Sequence, residues 1–104
     1  MQDAVGPVLR MCDEVEDVIE AIVQDNPGRE VEVIGRGSYM RVQARGFLRV
    51  TLASLQRNVG ASFQMRQLEA IMSAFAGRIA TSTDEITWTL TTAEARPRGE
   101  GGAT

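Results

Sequence analysis

Histidine and lysine are both absent from this chain, cysteine occurs once, and only five residues are aromatic. Without histidine the commonest general base and the commonest metal ligand are gone. The single thiol, Cys12, rules out an internal disulfide, and with no histidine beside it a Cys/His zinc site is impossible; a reducing compartment fits. No apolar stretch approaches the roughly 18 residues of a membrane span and no signal peptide is present, so a cytoplasmic location is expected. The aromatics Tyr39, Phe47, Phe63, Phe75 and Trp88 are too few for a base-stacking surface. There is no G-x-S-x-G, no phosphate loop, no G-x-G-x-x-G and no calcium-loop spacing. Gly35-Arg36-Gly37 reads better as a turn. No catalytic, cofactor-binding or metal-ligating residue is expected, and the chain does not read as an enzyme.

What is there is a charge pattern. The net charge is −3, which argues against a general attraction to phosphate. All 11 basic residues are arginine. Arginine makes planar, bidentate contacts and desolvates more readily than lysine, which suits a protein interface, although a coding bias would give the same composition. The length predicts one domain, drawn at residues 1–92, followed by a Pro/Gly-rich tail at 93–104 expected to be disordered.

Val5 to Arg10 reads as a strand, with Pro7 restricting it to an edge or a strand start. Asp13 resembles an N-cap with Glu16 completing a capping box. Val15, Val18, Ile19, Ile22 and Val23 then form one helical stripe, opposite Glu14, Glu16, Asp17, Glu20 and Gln24. That acidic side is either a solvated face or a docking face. Asp25-Asn26-Pro27-Gly28 ends the helix, because proline cannot continue it and glycine accepts a positive φ. The stop is plain architecture, or else a constrained protrusion suited to a contact.

Three strands follow, Glu30–Ile34, Ser38–Ala44 and Phe47–Leu52, joined at Gly35-Arg36-Gly37 and Arg45-Gly46. The short links predict an antiparallel meander. Met40, Val42 and Ala44 share its core face; Tyr39, Arg41 and Arg49 share the other, as a cationic patch or as ordinary solvent-facing residues. A second helix is expected over Ala53–Val59, started by Thr51 or Leu52 and ended by Gly60. A third, capped by Ser62, would carry Met65, Leu68, Ile71, Met72 and Phe75 on one stripe and stop at Gly77. A hairpin of Arg78–Thr81 and Ile86–Leu90 closes the domain, with Ile86, Trp88 and Leu90 inward. The expected class is α+β: β-α-β-β followed by β-α-α-β-β, with antiparallel sheets packed against three helices.

In this order the chain resembles the small effector proteins of soluble diiron monooxygenases, most of all the toluene and alkene or isoprene branch. It is also similar to the phenol and methane enzymes' regulatory proteins. The likeness rests on Val5-Gly6-Pro7-Val8-Leu9-Arg10, Asp25-Asn26-Pro27-Gly28-Arg29-Glu30, Tyr39-Met40-Arg41-Val42, Leu68-Glu69, Ser73-Ala74-Phe75-Ala76-Gly77-Arg78-Ile79 and Asp84-Glu85-Ile86. It implies a protein without metal, cofactor or catalysis of its own that binds the diiron hydroxylase component, shifts its active site and improves turnover and coupling. A free monomer is expected, with neither nucleic acid nor membrane as partner. Carried onto matching positions, the resemblance implies contacts at Asn26, Pro27, Gly28, Tyr39 and Arg41. Arg36, Ser38 and Ser82 are added from loop position alone. Only four residues precede Val5, so the longer N-terminal arm that some relatives use on the hydroxylase is not expected here. Two other readings remain at this level: a ferredoxin-like ligand-sensing domain binding a metabolite near Asn26–Gly28, and an RNA-binding module using Arg41 and Arg49.

Overall fold

A computed structural model describes residues 1–90. The expected tail at 93–104 lies outside the described residues. The chain runs β1 (Ala4–Arg10), α1 (Val15–Gln24), β2 (Glu32–Arg36), β3 (Tyr39–Arg45), β4 (Phe47–Thr51), α2 (Leu52–Asn58), α3 (Met65–Ile71), β5 (Met72–Ala76), β6 (Arg78–Thr81) and β7 (Glu85–Thr89). The strands form two antiparallel sheets, one ordered β2-β3-β1-β5 and the other β4-β7-β6. The expected α+β class is what the chain adopts, but several local expectations change.

β1 is an interior strand, between β3 and β5, although it contains Pro7. The β1–β3 register is interrupted opposite Gly6 and Pro7, so the missing N–H falls where the ladder is open on that side. Gly6 sits there at φ 142°, and a Cβ on it would meet the Val42 carbonyl oxygen at 2.1 Å. Backbone approach, not turn formation, demands this glycine.

The first helix starts at Val15, with Glu14 at its N-cap and no side-chain cap, so Asp13 does not cap it. The Val15 N–H instead reaches the Cys12 carbonyl in a tight turn. Val15, Val18, Ala21 and Ile22 are buried, whereas Val23 is exposed. At 100° per residue the buried arc is therefore rotated toward Ala21 and away from Val23.

β4 does not continue a meander. It pairs with β7, in the other sheet. One residue, Gly46 at φ 80°, separates β3 from β4, and a single residue cannot close a two-residue hairpin loop. The chain therefore turns out of one sheet into the next. The first hairpin is also tighter than expected: Arg36 pairs with Tyr39, so the turn is Gly37-Ser38 and Gly35 lies within β2.

The third helix ends at Ile71, and Gln64 rather than Ser62 is its N-cap, with Gln67 accepting the Gln64 N–H at 2.7 Å. Met72–Ala76 is a strand pairing with β1 through a register shift at Val8/Leu9. The stripe through Phe75 fits a helix locally, but another helical turn would leave the edge of β1 that faces β5 without its backbone partners, and strand pairing satisfies both. The second helix and the final hairpin form where expected, each shifted by one residue: the helix spans Leu52–Asn58 with Val59, not Gly60, as its C-cap, and the last strand is Glu85–Thr89 rather than Ile86–Leu90. Thr51 accepts the Ser54 N–H at 3.2 Å, and β6 pairs with β7.

Both sheets and all three helices turn their apolar residues into one core. Val5, Leu9, Val42 and Ala44 come from the first sheet, and Leu48, Val50, Ile86 and Trp88 from the second. Trp88 is fully buried and lies between Leu48 and Ile79 across the second sheet.

Candidate docking surface

The Asp25–Gly28 stop is built from the inside. Asp25 ends α1, and its carboxylate accepts from the Thr51 N–H (2.7 Å), the Thr51 hydroxyl (3.0 Å) and the Ser54 hydroxyl (2.6 Å). Asn26 donates Nδ2 to the carbonyls of Ile22 (2.6 Å) and Arg49 (2.8 Å) and accepts the Arg49 N–H at 3.2 Å. The two side chains thus clamp the end of α1 onto β4 and the start of α2. Asn26 is only 5% exposed, so its side chain is not the polar tip expected of it. A primary amide matches one N–H and two carbonyls, and that match draws it inward.

What the turn presents outward is Pro27, Gly28, Arg29 and Glu30, all exposed. Arg29 donates to the Arg45 carbonyl at 3.0 Å, and its guanidinium lies 5.3 Å from the centre of the Phe47 ring. With Arg45, these residues line an open cleft of about 430 Å³.

Arg36, Ser38, Tyr39 and Arg41 do come together, on the β2–β3 hairpin. The Ser38 carbonyl holds the Met11 N–H at 2.8 Å, which ties this hairpin to the end of β1. This group lies at the opposite end of β3 from Pro27 and Gly28. Six residues of strand separate Tyr39 from Arg45, about 20 Å at roughly 3.3 Å per residue. Ser82 is elsewhere again, in the β6–β7 turn. Its hydroxyl accepts from the Asp84 and Glu85 N–H groups and donates to the Glu85 carbonyl, so it serves the turn. Arg49 does not join Arg41: it belongs to the second sheet and pairs with Glu85 at 3.3 Å. Both of these side chains are partly exposed, so the pair contributes at most about 1 kcal/mol.

Cys12 is half-buried, and burial pushes its thiol above the ordinary value. Among the described residues no cluster of three or more His, Cys, Asp or Glu side chains is placed to hold a metal. No helix of the described residues is long and apolar enough to cross a membrane. Sequence reasoning missed Asp25 as an anchor. It also missed Arg10 and Arg45, which strand parity places on the same sheet face as Tyr39 and Arg41 once β1 and β3 are paired.

Two antiparallel sheets packed with three helices is the architecture of the small monooxygenase regulatory proteins of known structure. The structure superposes with a TM-score of 0.75 on a chain of a phenol hydroxylase–regulatory protein complex, at 19% identity, covering 85% of this chain and 99% of that one. It superposes at 0.67 on the regulatory protein B of soluble methane monooxygenase, at 25% identity, covering 98% of this chain and 75% of that one. The chain belongs to the MmoB/DmpM family, whose model matches residues 3–89. It is 44% identical over 87 residues to the effector subunit of the alkene monooxygenase system of Xanthobacter autotrophicus strain Py2, across 84% of this chain and 86% of that protein.

Proposed function

We propose that this protein is the non-catalytic effector of a multicomponent hydrocarbon monooxygenase of the alkene or aromatic class. Its partner is the diiron hydroxylase component. The reading is carried by the 44% identity to an alkene monooxygenase effector subunit along nearly the whole of both chains. An effector changes the hydroxylase only by binding one of its conformations better than another. A coupling of about 1–3 kcal/mol, the usual size, shifts the equilibrium between the two conformations between about 5-fold and 150-fold.

The contacts are made by exposed groups: Pro27 and Gly28 at the turn, Arg36, Ser38, Tyr39 and Arg41 on the hairpin, and Ser82 at the second sheet. Asn26 serves the same surface from within, by fixing the turn. The test is reconstitution of the cognate hydroxylase with its electron-transfer partners, scoring oxygenated product per NADH with and without this protein. Higher turnover and tighter coupling at about one effector per active site are expected. A hydroxylase that runs identically without it would defeat the reading.

A further inference from the structure

The first sheet is covered on one face only. Its inner face carries Leu9, Met40, Val42 and Ala44 toward the core; its outer face is exposed at Arg10, Arg36, Tyr39, Arg41, Arg45 and Ala74 and half-buried at Val8 and Ile34. Register places Ile34, Arg41, Val8 and Ala74 side by side across all four strands of that outer face. The next row is Arg36, Tyr39 and Arg10, and Arg45 continues the β3 line. Tyr39 is 43% exposed, and all four arginines are exposed. Arg36, Arg41 and Arg45 have no side-chain partner among the described residues, while Arg10 donates to the Ala70 carbonyl. Among the described residues of the four strands, Glu32 is the carboxylate that shares this face, and it accepts from Gln43 at 2.5 Å; Glu30, just before β2, lies beside Arg45 in the cleft at the far end. A chain of net charge −3 therefore carries a cationic sheet face with an apolar and tyrosine centre. The acidic side of α1 lies elsewhere, because the buried stripe of α1 points into the same core as the inner face of the sheet.

We infer that this outer face, rather than the acidic helix, is the surface that docks, and that its occupant is a carboxylate-bearing patch of the hydroxylase. The inference rests on the effector reading above and adds the face and the chemistry of its partner. Exposed guanidiniums beside a tyrosine and aliphatic side chains are the residue types that dominate protein interfaces, and arginine pairs carboxylates in two-pronged fashion. A second copy does not fit, since a two-fold contact would set this cationic face against itself. Single-stranded RNA would need several stacking rings where only Tyr39 stands. An anionic membrane fits poorly with the overall acidity of the chain.

The experiment measures the dissociation constant for the cognate hydroxylase with wild type, Arg41→Glu, Arg36→Glu, Tyr39→Ala and, on α1, the pair Glu16→Lys and Asp17→Lys. Circular dichroism verifies each fold; the exposed side chains replaced make folding failure unexpected, and Arg41→Gln serves if reversal disturbs the sheet. Each arginine reversal is expected to weaken binding at least about tenfold, and the α1 pair to change it less than about twofold. High salt should shrink the difference between wild type and Arg41→Glu. If wild type does not bind the hydroxylase, the effector reading itself fails. If wild type binds and both reversals bind equally well, the face assignment falls while the effector reading stands. Equal weakening by the α1 pair, a dimer lost in Arg41→Glu, or wild-type binding to single-stranded RNA or phosphatidylserine vesicles as tight as to the hydroxylase would each overturn it.

Discussion

Asn26 satisfies three backbone groups at the junction of α1 and β4. Asn26→Ala leaves the Arg49 amide and two carbonyls without their partner, and each buried orphan costs about 1–3 kcal/mol. A loss of at least about 3 kcal/mol is expected for the three groups together, read as a Tm lower by about 4–8 °C for each kcal/mol. Asn26→Asp should be worse, because a carboxylate cannot donate to the two carbonyls. A variant with an unchanged Tm would show that the clamp holds nothing. Gly77 makes a second residue-level case. It lies at φ 94°, and a Cβ there would stand 2.4 Å from the Thr89 oxygen and 2.7 Å from Val5 Cγ1. Gly77→Ala must move backbone and should destabilise by about 1–3 kcal/mol in urea titrations. Cys12 gives a pH-dependent expectation. Burial raises its pKa, so at any pH near 8 less of it is thiolate than of an ordinary thiol. Its reaction with a disulfide reagent should therefore be slower than that of free cysteine, and equal rates would contradict the burial.

At the scale of elements, the acidic helix and the final hairpin follow from their own periodicity, whereas β5 does not. Met65, Leu68, Ile71, Met72 and Phe75 repeat at helical spacing, yet Met72 already has ψ 104° and the chain pairs with β1 from there. Residues 72–76 should accordingly give strand-type Cα chemical shifts and slowed amide exchange. Helix-type shifts through Phe75 would restore the expectation read from the sequence. β4 teaches the same point. Its alternation of Leu48 and Val50 against Phe47, Arg49 and Thr51 identifies a strand, but alternation carries no information about which strand it joins.

For the whole molecule, the two sheets share one core with Trp88 inside it, and Trp88 is the only tryptophan. Its emission should be blue-shifted when folded and move red in a single transition with the loss of circular dichroism, as expected for a domain of this size. Two separate transitions would mean that the sheets do not share a core. Trp88→Ala should cost about 3–5 kcal/mol. The outer arginine face and the acidic side of α1 give the molecule a charge polarity that its net charge hides. Association steered by that polarity weakens as salt screens it, so stimulation at limiting effector should fall from low to high salt.

The sequence by itself determined the acidic amphipathic helix, the helix stop at Pro27, the inward residues of β3, β4 and β7, and the family likeness carried by ordered short motifs. These are local quantities: a period of two or 3.6, a fixed φ, a missing N–H. Only the tertiary structure decided that Pro7 lies in an interior strand, that Gly46 sends the chain from one sheet to the other, and that Met72–Ala76 is a strand. It alone turned Asn26 inward and parted Arg49 from Arg41. Each of those outcomes depends on a partner far along the chain: β5 for β1, β7 for β4, the Arg49 backbone for Asn26. Hydrogen bonds and close packing of that kind are settled when elements meet, and no window of neighbouring residues contains them.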